Sequence, residues 1–191
     1  MTRKRLASSA QPAVVDACCL IDLLASRQAE AILRATGHAW HVPSSVQAEV
    51  QYVRQHDPDT PGSYMNVPTD LTPLVESGVL TPCQPDDPRE QARYIHYATL
   101  FRSDGEAMCL ALAESRGWIV ATDDRKAILL AQQAGLSVVS CPELVKAWAD
   151  ATRPDATSLV QVLTDIQSFA QFRPNQTMKE ASWWMSRVKG T

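Results

Sequence analysis

The stretch Trp118-Ile119-Val120-Ala121-Thr122-Asp123-Asp124-Arg125-Lys126-Ala127-Ile128-Leu129-Leu130-Ala131, continuing through Val138-Val139, decides the fold. Residues 118–122 form an unbroken run of the kind found in strands buried on both faces. Ala127, Ile128, Leu130 and Ala131 then recur at helical spacing across 124–134. A second short strand falls at 137–140 and a second helix at 142–151. Strand, helix, strand, helix in this order predicts a parallel sheet with helices on its faces.

The same alternation extends toward the N-terminus. Ala13-Val14-Val15-Asp16 reads as a buried strand, followed by a helix at 17–25 carrying Cys18, Leu20, Ile21 and Leu24. A helix with Ala29, Ile32 and Leu33 on one side comes next, then a strand at Ala39-Trp40-His41-Val42, stopped by Pro43. Ser44-Ser45-Val46-Gln47 resembles a capping box, and the helix it opens carries Val46, Glu49, Val50 and Val53. Pro58, Pro61, Gly62 and Pro68 make 56–69 a long loop. Helices are predicted at 70–77, 89–101 and 104–116, with a short strand near Val79-Leu80.

Arg153-Pro154 marks a boundary. Beyond it Leu159, Val162, Leu163, Ile166 and Phe169 recur at helical spacing, and a last helix after Pro174 carries Trp183, Trp184, Met185 and Val188. The division is a flexible arm at 1–11, an α/β domain at 12–152 and a C-terminal helical extension at 153–191, packed on the domain or on a second subunit.

The chain of 191 residues, 45% apolar and 20% charged, suits one folded domain with a sizeable core. No run is long and apolar enough to span a membrane. The basic cluster Arg3-Lys4-Arg5 is not followed by the apolar core of a signal peptide, so a cytoplasmic protein is expected. Five cysteines without a C-x-x-C pair fit reduced, buried thiols. A net charge of −3 neither announces nor forbids nucleic-acid binding, because a carboxylate-rich metal site lowers the total.

The acids are placed unusually. Asp16 ends the first strand, Asp123 ends the run 118–122, and Glu106 opens the helix of Met108, Leu110, Ala111 and Leu112. Ligands of open α/β sheets bind at the carboxyl ends of the strands. Carboxylates gathered there repel one another, and Mg²⁺ or Mn²⁺, which take oxygen ligands, would offset that repulsion. A helix-cap explanation stands beside this one. Asp16, Asp104 and Asp123 could each accept backbone N–H bonds, and Ser103-Asp104-Gly105-Glu106 fits a capping box. Ser, Thr or Asn would cap as well without adding charge, which favours the metal reading for the set.

Four motifs in register carry a family resemblance over roughly 13–150: Val14-Val15-Asp16; Pro43-Ser44 through Ala48-Glu49-Val50; Asp104-Gly105-Glu106-Ala107 with Leu110-Ala111-Leu112-Ala113; and Ala121-Thr122-Asp123-Asp124-Arg125-Lys126-Ala127. Together they resemble PIN-domain proteins, in particular VapC-like ribonuclease toxins of toxin–antitoxin pairs. The resemblance implies a three-layer α/β/α fold with a central parallel sheet and a metal-dependent nuclease site. It places Asp16, Glu49, Glu106 and Asp123 on the family's four acids, with Asp104 competing for the third and Asp124 beside the fourth. Thr122 matches a small hydroxyl residue often found there. Cys18 departs from the Ser or Thr many members carry, and the loop at 56–69 and the tail after Pro154 exceed a minimal toxin.

The expectation is therefore an endoribonuclease with two ions held by Asp16, Glu106 and Asp123, completed by Glu49 and by Asp104 or Asp124. Arg102, Arg125 and Lys126 are candidates for phosphate contacts. RNA, a cognate antitoxin and a second copy of the chain are the expected partners. The alternative is a PIN-fold nucleic-acid-binding or scaffold protein that cuts nothing. Other chemistries lack their residues. A haloacid-dehalogenase site needs a second Asp where Cys18 stands, and no P-loop, Rossmann glycine fingerprint or G-x-S-x-G elbow occurs. His38 and His41 have no partners at zinc-finger spacing, and Trp183-Trp184 reads as core or interface.

Overall fold

The computed structural model describes residues 10–188, so the expected arm lies outside the described residues up to residue 9. In chain order the first half contains β1 (Pro12–Val15), α1 (Ala17–Ala25), α2 (Ala29–Ala35), β2 (Ala39–Pro43), α3 (Ser44–Glu49), β3 (Tyr52–His56), β4 (Tyr64–Pro68), α4 (Thr72–Glu76) and β5 (Leu80–Cys83). The second half contains α5 (Pro88–Ala98), α6 (Asp104–Arg116), β6 (Ile119–Ala121), α7 (Arg125–Gln133), β7 (Val138–Val139), α8 (Cys141–Thr152), α9 (Ala156–Asp165) and α10 (Ala181–Val188).

β1 is the middle of a five-stranded, wholly parallel sheet of order β5-β2-β1-β6-β7. Ala13, Val14 and Val15 are fully buried, as a central strand covered on both faces requires. Helices α1, α2 and α8 pack together as one layer, and α5, α6 and α7 as the other. The architecture is α/β with a central parallel sheet between helices.

The chain leaves β1 toward β2 but leaves β6 toward β7, on the opposite side. The carboxyl ends of β1 and β6 thus flank a topological switch point, where the two crossovers part and open a crevice. Asp16 and Thr122 are the residues that follow these two strands.

One segment differs from expectation. α3 stops at Glu49, and Val53 belongs to a strand. β3 and β4 pair antiparallel, from Tyr52 opposite Pro68 to His56 opposite Tyr64, so the long loop is instead a hairpin with its turn at 57–63. Val46, Val50 and Val53 fit helical spacing, yet Val50 leaves the helix with ψ 74°. The hairpin base holds it there: Thr69 Oγ1 donates to the Val50 carbonyl, and the Thr69 N–H donates to the Gln51 carbonyl at 3.0 Å. The Ser44 capping box does not form either. Pro43 occupies the cap, and Gln47 Nε2 donates to the Val42 carbonyl at 3.4 Å.

The C-terminal extension packs on its own domain. α9 widens into a π-helical turn at Ile166–Ala170, ended by Gln171 in the left-handed conformation, φ 59°. Val162, Leu163, Ile166, Phe169 and Trp184 are buried. Each such side chain contributes about 1.5–3 kcal/mol of transfer free energy, so the extension completes the core. Phe169 meets His56 edge-on at 5.2 Å, which ties the extension to the hairpin.

Candidate metal centre

Asp16 is 1% exposed, and each of its oxygens has a donor. Its extended backbone places it at the α1 N-terminus, where Oδ1 accepts from Cys19 N–H at 2.8 Å. Oδ2 accepts from the Thr122 hydroxyl, across from β6. Burial pushes the Asp16 carboxyl up to about 7, against the opposing pull of these two hydrogen bonds; Glu106 and Asp124 raise it further.

Glu106 sits on the first turn of α6. Its Oε2 is buried without a hydrogen-bond partner. Burial raises its pKa, and the charges of Glu49 and Asp124 add to the effect. The capping box that would have explained Glu106 is absent, since Ser103 makes no side-chain cap bond. Ser103 Oγ instead donates to Glu49 Oε2 at 3.4 Å, and Gly105 N–H donates to Glu49 Oε1 at 2.8 Å. A Cβ at position 105 would lie 2.6 Å from Glu49 Oε2, so any larger residue would push the Glu49 carboxylate out of this contact. Glu49, at the end of α3, is thereby held against the α6 N-terminus.

The adjacent acids Asp123 and Asp124 face different surroundings. Asp124 caps α7 by accepting from Ala127 N–H at 2.7 Å, and its charge acts on Asp16, Glu106 and Cys18. Asp123 turns toward α8 and accepts from Cys141 N–H at 3.1 and 3.2 Å. Burial pushes it up to about 8, with Asp16 and Glu143 adding to the shift. Asp104 is exposed and accepts from the Tyr94 hydroxyl at 2.9 Å. The charges of Glu106 and Asp124 thus act on Asp16, and those of Glu49 and Asp124 on Glu106, while Asp123, bonded to α8, feels the charge of Asp16.

Thr122 is fully buried and binds both sides, donating to Asp16 and accepting from Asp124 N–H at 3.2 Å. Lys126 is engaged, its ammonium donating to the Leu100 carbonyl and lying 5.3 Å from the Phe101 ring centroid. Arg102 and Arg125 are exposed and make no ion pair among the described residues. Cys18 is exposed, unlike the buried thiol expected, yet desolvation of its sulfur and then Asp16 and Glu106 raise the thiol pKa, which argues against a thiol nucleophile.

Three features went unread in the sequence. Asp22 is 4% exposed within α1, and its only signal was a charge among buried apolar positions. Ser140 and Glu143 form the capping box of α8, with the S-x-x-E spacing that marks one. The hairpin brings Tyr52 and Arg54 to a 230 Å³ groove that Glu49 and Phe169 also line.

No protein-family model, curated protein or solved structure matches this chain.

Proposed function

We propose that the protein is a metal-dependent endoribonuclease of PIN type, acting on RNA phosphodiester bonds at the Asp16–Glu106–Asp124 cluster. The observation that carries this reading is the orphaned, buried Oε2 of Glu106 beside Asp16, a carboxyl raised by burial yet held by two donors. Caps alone leave no reason for a carboxylate oxygen without a partner at a strand-end crevice. A divalent cation fits the donor set, all oxygen and strongly anionic. Asp16, Glu106 and Asp124 would hold it, with Glu49 placed for a second ion and Asp123 less directly engaged than the sequence suggested.

Mg²⁺ or Mn²⁺, when bound, supplies an activated water and charge for the leaving oxygen. The chain's own residues position the rest. Thr122 fixes the Asp16 carboxylate, Gly105 and Ser103 fix Glu49, and Arg102 and Arg125 offer free cations to phosphate. The groove beside Glu49 offers Tyr52, 50% exposed, and Arg54, whose guanidinium lies 4.5 Å from the Tyr64 ring centroid. Aromatic faces next to cations suit the bases and backbone of a single strand. The toxin of a toxin–antitoxin pair is the narrower form of this proposal, with a cognate antitoxin as partner and the cytoplasm as its place of action. No described helix is long and apolar enough to cross a membrane.

The test is incubation of the purified protein with total RNA, with and without Mn²⁺, followed by mapping of new ends. Mn²⁺-dependent ends that vanish with Asp16→Asn support the proposal. Tight RNA binding without new ends would favour the binding-protein alternative.

A further inference from the structure

Asp22, Asp123 and Cys141 offer two carboxylate oxygens and a thiol sulfur that lie within 4.8 Å of one another. They come from three elements: the middle of α1, the loop after β6, and the first residue of α8. Cys141 is fully buried and Asp22 is 4% exposed. Asp22 Oδ2 is buried and has no hydrogen-bond partner. Among the described residues Asp123 accepts from the Cys141 N–H alone. Two carboxyl groups and a thiol thus converge, and among the described residues no arginine or lysine pairs with them. Buried charge of this kind needs a proton or a cation.

We infer that Asp22, Asp123 and Cys141 form a second, buried site for a transition-metal ion such as Zn²⁺, separate from the Asp16–Glu106–Asp124 cluster. The donor set decides the metal class. Carboxylate oxygens alone suit Mg²⁺ or Mn²⁺, whereas a thiolate beside them selects a softer ion, and Zn²⁺ takes both ligand types. The α8 N-terminus points its positive end at the site and offsets part of the ligand charge. Burial raises the carboxyls, Asp22 to about 9 and Asp123 to about 8, and raises the Cys141 thiol well above its usual range. An ion would displace those protons, since coordination deprotonates a thiol outright. The site would clamp α1, which Asp16 caps, to the loop after β6 and to α8, so it would stiffen the proposed nuclease site without entering its chemistry.

The experiment uses the full chain, reduced and stripped with EDTA, titrated with Co²⁺ as a spectroscopic stand-in for Zn²⁺. A thiolate-to-metal charge-transfer band should appear and saturate at one Co²⁺ per chain, whatever further Co²⁺ the carboxylate cluster takes up, and Zn²⁺ should abolish the band by displacement. Cys141→Ser should remove the band, Asp22→Asn should weaken Co²⁺ binding at least about tenfold, and Cys18→Ser and Asp16→Asn should leave the band in place. Absence of the band in the wild type overturns the inference, as does a band that survives Cys141→Ser. Should Cys141→Ser fail to fold, Asp22→Asn decides: undiminished Co²⁺ affinity would mean that Asp22 and Asp123 merely share a proton. Nuclease activity is scored separately, so loss of this site leaves the proposed activity standing and the reverse also holds.

Discussion

The Thr122 hydroxyl donates to Asp16 Oδ2 and, on its other side, accepts from the Asp124 N–H at 3.2 Å. One buried side chain therefore joins the acid that ends β1 to the acid that follows β6. Thr122→Val keeps the shape and removes both bonds. Mn²⁺ affinity should fall about 10–100-fold, the usual cost of losing a residue that orients a metal ligand. Stability should fall by about 1–3 kcal/mol, because Asp16 and the Asp124 N–H lose a partner in the interior. Calorimetric Mn²⁺ titration and denaturant unfolding measure the two effects. Unchanged Mn²⁺ affinity would place the ion away from Asp16.

Glu106 and Asp104 stand two residues apart on α6 and cannot share a target. Glu106 keeps a buried, unpartnered oxygen, whereas Asp104 is exposed and bonded to Tyr94. Glu106→Gln should reduce cleavage more than about 100-fold, equivalent to roughly 2.7 kcal/mol of lost transition-state stabilisation. Asp104→Asn should stay within a factor of about three. A rate assay on one RNA substrate ranks them, and the opposite order would move the ligand to Asp104.

The sheet was legible because its strands are short runs of buried apolar residues. Val14, Val15, Val120 and Ala121 have almost no exposed surface, so their character follows from position in the sheet alone. The boundaries of α6 follow equally from Asp104 at one end and Arg116 before Gly117 at the other. The hairpin was hidden because Val53 alone of its residues is buried, which leaves no alternation to read. Val46, Val50 and Val53 mimic a helical stripe, and only the clamp from Thr69, distant in sequence, ends it. Within the candidate site, Asp16 at a strand end and Glu106 at a helix start were legible from their positions, and the structure buries Asp16 and leaves a Glu106 oxygen without a partner. The separation of Asp123 from Asp124 depends on which neighbour each carboxylate meets, and Cys141 lies on a different helix.

That hairpin yields a third prediction. Arg54→Ala should weaken RNA binding and reduce its salt dependence by about one counterion, as loss of a phosphate contact does. Tyr52→Ala should cost about 1–3 kcal/mol of affinity with no change in salt slope, as loss of a stacking face does. Both side chains are largely outside the core, so melting should be unaffected. RNA binding unaltered in both variants would exclude the groove beside Glu49 from the substrate path.

The acids also set a pH profile for the metal-free protein. Asp16, Asp123 and Asp22 are raised from 3.8 to about 7, 8 and 9, first of all by burial. The native state therefore keeps protons that the unfolded chain has released, and stability falls as pH rises from about 4 to about 9. Glu90 has the opposite sign. Its hydrogen bonds to Arg116 hold it at about 2, so its contribution is lost as pH falls from 4.5 toward 2. In EDTA the melting temperature should peak near pH 5 and decline toward pH 9. The rise produced by Mn²⁺ should grow as pH rises toward 7, because binding must displace the proton that burial keeps on Asp16. A flat EDTA profile between pH 5 and 9 would contradict the burial of these carboxyls.

Asp16→Asn separates a metal site from a set of helix caps. Asn keeps an acceptor for Cys19 N–H, and its amide can face Thr122 if the hydroxyl turns to accept. It also removes a buried charge that Glu106 and Asp124 oppose. Without metal the variant should therefore melt at or above the wild-type temperature at pH 8. A native-state ligand stabilises by RT ln(1 + [L]/Kd), about 2.7 kcal/mol at one hundred times Kd. For a chain of this length that corresponds to a rise of roughly 5–11 °C in the wild type. Asp16→Asn should lose most of that rise together with cleavage. The capping account predicts no Mn²⁺ response in either protein, since Asn and Asp cap almost equally. A melting series at millimolar Mn²⁺ and in EDTA discriminates the two, and a wild type indifferent to Mn²⁺ would remove the basis for the nuclease.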